Sequence, residues 1–86
     1  MPRFIIERNF ASQVEATPEM ADEIRRVNDE VGVQWVISFL SLDKTKTYCL
    51  YEAPSAEALL EAARRLNIPA DAIVEVGSEI RPEMFG

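Results

Sequence analysis

The sequence contains no histidine. That excludes histidine-based catalytic triads, zinc held by imidazole and an imidazole proton shuttle. It contains one cysteine, Cys49, so no disulfide can form within the chain. Cationic side chains are few: nine Lys and Arg against fifteen Asp and Glu, a net charge of −6. A nucleic-acid binder needs a cationic face that releases counterions, and this chain has none to offer. Its only basic clusters, Arg25-Arg26 and Arg64-Arg65, sit among glutamates. No apolar run approaches the ~18–20 residues of a membrane span. The longest are broken by Gln34, Ser38 and Ser41, and no basic-then-apolar signal segment opens the chain. The expectation is a cytoplasmic protein that binds neither membrane nor nucleic acid.

What is present is one domain. Eighty-six residues leave no room for two cores, and 48% of them are apolar, too many for a disordered chain. Arg3 to Arg8 is short and β-rich, and predicts a first strand near residues 2–9. Thr17-Pro18-Glu19 reads as a helix start: a hydroxyl cap, a proline that fits the first turn, and an acid at the positive dipole end. Met20, Ile24, Val27 and Val31 follow at helical spacing, and Gly32 stops the helix. Val33 to Leu42 predicts a second strand, apolar on both sides. Val33, Trp35, Ile37 and Phe39 form one set, and Val36, Leu40 and Leu42 the other. Asp43-Lys44-Thr45 is a turn, and Lys46 to Glu52 returns as strand three. Ser55 caps a second helix that buries Leu59, Ala62, Ala63 and Leu66 and ends at Asn67 before Pro69. Ala72 to Ser78 is strand four, and residues 81–86 form a tail.

The order βαββαβ implies a ferredoxin-like α+β fold, a four-stranded antiparallel sheet with both helices on one face. Strands one and two nevertheless offer apolar groups to both faces. The economical cover for the second face is another copy of the chain, so a homodimer through the open sheet face is expected, with a pocket for a small ligand between the sheets.

Several segments carry a family resemblance. They are Phe4-Ile5-Ile6-Glu7-Arg8, Val33-Gln34-Trp35-Val36 leading to Ser38, Asp43, Lys46 through Pro54, and Leu66 through Ile73. Together they resemble a small bacterial family of unknown function, one branch of which is described as nickel-binding. The likeness spans nearly the whole chain, and Tyr48-Cys49-Leu50-Tyr51-Glu52-Ala53-Pro54 is its most specific part. It implies a ferredoxin-like domain paired into a dimeric α+β barrel. A divalent metal, nickel by resemblance alone, is the cofactor it suggests.

Strand alternation sorts the side chains. If purely apolar sets meet the helices, Val74 and Val76 lie inside and Glu75 lies on the open face with Glu7. Cys49 is placed toward the helices because an uncharged cysteine is commonly buried, which sends Tyr48 and Glu52 to the open face. Glu7, Glu52 and Glu75 then form a carboxylate cluster beside a phenol, a hard-donor set for a divalent ion. The competing reading pairs these glutamates with Arg3 and Arg8 at the strand ends. Tyr48 and Trp35 are the expected ligand contacts, although Trp35 and Phe39 also suit a core or dimer interface. Three functions follow: a small-ligand or metal-binding homodimer, which the pattern favours; a cofactor-free enzyme of the dimeric-barrel type with Glu52 or Glu7 as base; or a purely structural interaction module, which a dry dimer interface would favour.

Overall fold

The computed structural model describes residues 1–86. Its elements are β1 (Arg3–Asn9), α1 (Pro18–Val31), β2 (Gln34–Leu40), β3 (Lys46–Glu52), α2 (Ala56–Leu66), β4 (Ala72–Val76) and a 3₁₀ turn, Pro82–Phe85. The four strands form one sheet in the order β2-β3-β1-β4, antiparallel throughout. This is the ferredoxin-like α+β arrangement expected from the element order. No helix is long and apolar enough to cross a membrane.

The helix boundaries follow from local chemistry. Thr17 accepts a hydrogen bond from the Met20 amide, and Pro18 occupies the first turn, where its missing N–H costs nothing. Gly32 ends α1 in the left-handed region at φ 76°, and the following Val33 amide bonds back to the Asn28 carbonyl. Helix α2 repeats the plan with Ser55 as cap and Asn67 in the left-handed region at φ 56°.

Both helices lie on one side of the sheet. Phe4 and Ile6 of β1, Cys49 and Tyr51 of β3, Val33 and Ala53 at strand ends, and Val27, Leu59 and Ala62 of the helices form the core. Only 12 of 86 residues are buried, because the other side of the sheet is bare.

Two strands depart from the expected facing. In β2 a bulge lies between Trp35 and Ile37: Trp35 pairs with Tyr51 and Ile37 with Leu50. The additional residue, Val36, shifts the alternation by one. Trp35, Ser38 and Leu40 therefore face the helices, while Ile37 and Phe39 face out. The strand also stops at Leu40 rather than Leu42, whose side chain is wholly exposed. In β4, Glu75 pairs with Phe4 and Val74 with Ile5. Paired residues share a face, so Glu75 is on the helix side and Val74 on the open side, the reverse of the expectation. The premise that apolar sets face the helices fails here because the open face is itself apolar.

Gly32 has open space around its Cα but a left-handed backbone. Gly32→Ala is expected to lower stability by about 1–2 kcal/mol through backbone strain alone, without repacking. Urea unfolding checks this: the midpoint should fall with the m-value unchanged.

Candidate functional site

Of the chain's two main pockets, the larger, about 400 Å³, runs along Arg25, Asn28 and residues 33–37, and the more apolar lies, partly open, between the sheet and the helices. It is a cavity of about 300 Å³, lined by 15 residues of which 11 are hydrophobic. Its floor is the helix-facing side of β1, β2 and β3, where Arg8, Trp35, Thr47, Cys49 and Tyr51 project; its walls include Met20 and Ile24 of α1 and Leu66 at the end of α2. Phe10, Val14 and Ala16 complete it from the segment joining β1 to α1.

That segment has no regular structure of its own, and the β2–β3 turn holds it. The Phe10 and Val14 amides donate to the carbonyls of Thr45 and Lys44, and the Gln13 side chain reaches the Asp43 carbonyl. The turn is in turn fixed by the Asp43 carboxylate. One of its oxygens accepts from the Ser41 hydroxyl at 2.7 Å, the Thr45 hydroxyl at 2.8 Å and the Thr45 amide at 3.1 Å. Hydrogen bonds from Ser41 and then Thr45 favour the ionised form and lower the Asp43 pKa to about 2.

Arg8 is the polar feature of the cavity. It alternates in step with Phe4 and Ile6, so its side chain enters the covered side of the sheet, where it is 4% exposed. Its guanidinium donates to the Pro69 carbonyl at 2.7 Å and lies 5.9 Å from the centre of the Tyr51 ring. It takes part in none of the chain's ion pairs. Burial raises the Tyr51 pKa, against the opposing pull of the Arg8 charge. Trp35 is held by its indole N–H, which donates to the Ser38 hydroxyl at 2.7 Å. The Cys49 thiol is buried, with the Thr47 hydroxyl 3.5 Å away. A thiol there, with no base beside it, is a packing group.

The residues singled out from sequence are dispersed. Glu7 and Glu52 stand on the open face, beside Tyr48 and Arg3 respectively. They are four positions apart along the paired strands, roughly 13 Å at ~3.4 Å per residue. Glu75 is across the sheet. The three carboxylates therefore do not gather, and no three His, Cys, Asp or Glu side chains come together anywhere in the chain. Tyr48 and Trp35 are on opposite faces, so they do not line one pocket. The expected pairing of Arg3 and Arg8 with these glutamates is also replaced. Arg3 binds Glu79 at 2.8 Å, and Arg8 is inside. The Arg64-Arg65 pair brackets Glu61, whose pKa falls to about 2 through hydrogen bonds from both arginines. Arg8 escaped the sequence reading although its signal was present: it shares the parity of Phe4 and Ile6.

The molecule is thus a small ferredoxin-like domain with an apolar cavity under its helices and a bare apolar sheet face. Residues 4–76 match the profile of the family described as nickel responsive protein SCO4226-like, and the chain belongs to that family. The crystal structure of SCO4226 from Streptomyces coelicolor A3(2) is similar to it, with a TM-score of 0.78 at 22% identity over 91% of this chain and 99% of that one. At that identity the likeness shows the fold. No curated protein matches the sequence.

The Asp43 pKa sets a test of the turn. Its folded value of about 2 lies below its ordinary 3.8, so its bonds contribute stability that is full above pH 4 and is lost as pH falls toward 2. Glu61, lowered from 4.5 to about 2, contributes stability that is lost over an overlapping window that opens slightly higher. Thermal melts from pH 7 to pH 2 should show a Tm falling below pH 4, with a smaller fall in Asp43→Asn and a smaller one still when Glu61→Gln is added.

Proposed function

We propose that the chain is a non-catalytic small-ligand-binding protein that works as a homodimer, with the ligand in the cavity between sheet and helices and the partner copy on the open sheet face. The cavity carries this reading. Its volume is at the lower end of the ~300–1,000 Å³ typical of ligand sites, and its lining is apolar with a few convergent polar groups. Catalysis has less support. Glu7 and Glu52, the expected bases, stand on the open face rather than in the cavity, and the cavity's thiol has no activating partner.

The open face supports the dimer. Ile5, Ile37, Phe39, Tyr48 and Val74 share it and are 39–63% exposed. A patch of this kind marks an interaction surface. Two copies would contribute ten such side chains, each with roughly 1 kcal/mol still to gain from burial. The total is on the order of 10 kcal/mol, comparable with the ~4–15 kcal/mol cost of association. The expected dimer is therefore reversible and concentration-dependent.

The family description raises nickel. The residues present do not fit it within one chain: there is no imidazole, the single thiol is buried in the core, and the carboxylates are scattered. A metal site on this protein would need donors from both copies.

Light scattering across micromolar concentrations should give a mass rising toward twice 9.7 kDa, and Phe39→Glu should hold it at the monomer value. A concentration-independent monomer would overturn the dimer. For the cavity, Trp35 is the only tryptophan and lies on its floor, so its emission reports occupancy directly. Titration with octanol should shift it saturably. A flat response would remove the ligand-binding reading.

A further inference from the structure

Resting on the cavity as a ligand site, we propose that its ligand class is a monocarboxylate with an apolar body, its head held by the Arg8 guanidinium and its body against Phe10, Val14, Met20, Ile24 and Leu66.

The argument begins with the cost of a buried charge. A cation taken out of water is normally paired, because its desolvation is otherwise uncompensated. Arg8 is 4% exposed and has no carboxylate within ion-pair distance. Its partners are one carbonyl at 2.7 Å, the neutral Tyr51 hydroxyl beside it and the Tyr51 ring near the outer limit of cation–π contact. Five N–H donors in a planar fork exceed what these partners accept. Arg8 lines the cavity, and the group that satisfies such a fork with charge and geometry together is a carboxylate taken in bidentate fashion.

The rest of the lining defines the remainder of the ligand. Eleven of the fifteen residues are hydrophobic, so the body is apolar. The only other charged side chain is Glu23, exposed on α1. It repels a second anionic group, so the fit is to one carboxylate rather than two. Ser38, Thr47 and the Tyr51 phenol are neutral.

The test compares head groups on one chain length. Octanoate, octanol, octylamine and the dicarboxylate suberate are titrated into the protein, with Trp35 emission as readout. Octanoate should bind at least tenfold more tightly than octanol, with octylamine and suberate weaker than octanoate. Arg8→Met should bring octanoate to the octanol level and leave octanol unchanged, and Arg8→Lys should keep part of the preference. The same ranking in Phe39→Glu places binding away from the open face. Equal binding of octanoate and octanol in the wild type, or a preference that survives Arg8→Met, overturns the anion assignment while leaving the cavity as an apolar site. Failure of every compound to bind overturns the cavity reading and this proposal with it. If Arg8→Met does not fold by circular dichroism, the wild-type ranking and Arg8→Lys decide the matter.

Discussion

Two helices can cover only one face of a four-stranded sheet, and most of this molecule's features follow from that limit. On the covered side, Phe4, Ile6, Cys49 and Tyr51 meet Val27, Leu59 and Ala62 in a small core. On the bare side, Phe39 remains 63% exposed and Val74 60% exposed. A chain this short gains little by burying one face well while leaving the other apolar in water. The proposed second copy would relieve that imbalance, and the helix side is left as the place where one chain can form a pocket by itself.

The enclosure depends on an unusual relay of short polar contacts. The segment from Phe10 to Ala16 has neither a helix to stiffen it nor a strand to pair with. Its order comes from the β2–β3 turn, whose backbone carbonyls accept the Phe10 and Val14 amides. The turn keeps its shape because one Asp43 oxygen gathers three donors and because Lys44 takes a left-handed backbone at φ 64°. The roof of the cavity thus depends in part on a surface carboxylate, beside the packing of the half-buried Phe10 and Val14. Surface contacts of this kind open at low free-energy cost, which would suit the entry and release of the proposed ligand.

Much of the fold was legible in the sequence because its signals are local. Thr17-Pro18, Gly32, Ser55 and Asn67 act within one turn of where they stand, and they place both helices. The β1–β3 facing was also legible, since an uncharged cysteine in mid-strand is a strong burial marker. What escaped depended on register. No feature of Gln34-Trp35-Val36-Ile37 announces a bulge, yet one additional residue sends Trp35 inward and Ile37 outward. In β4 the choice between Ile73 with Glu75 and Val74 with Val76 rested on which face is drier. A sheet apolar on both sides makes that rule blind, and pairing with Phe4 and Ile6 decides instead. The carboxylate cluster failed partly for this reason, since β4 turned Glu75 to the other face, and partly because Glu7 and Glu52 share a face but stand four positions apart along it.

Arg8 marks where packing and function part. A hydrophobic residue at that position would continue the set begun by Phe4 and Ile6, and replacing buried charges with well-packed apolar groups is often neutral or stabilising. Packing alone therefore does not account for a guanidinium under the helices. The family relationship does not account for it either, since a shared fold carries no particular chemistry with it. This chain has the family's scaffold without histidine and without a carboxylate cluster, but with a cation facing an apolar cavity. A charge that weakens a core is tolerable where something outside the chain completes it. The Pro69 carbonyl satisfies one donor, and Arg8 lines the cavity that the proposed carboxylate would enter.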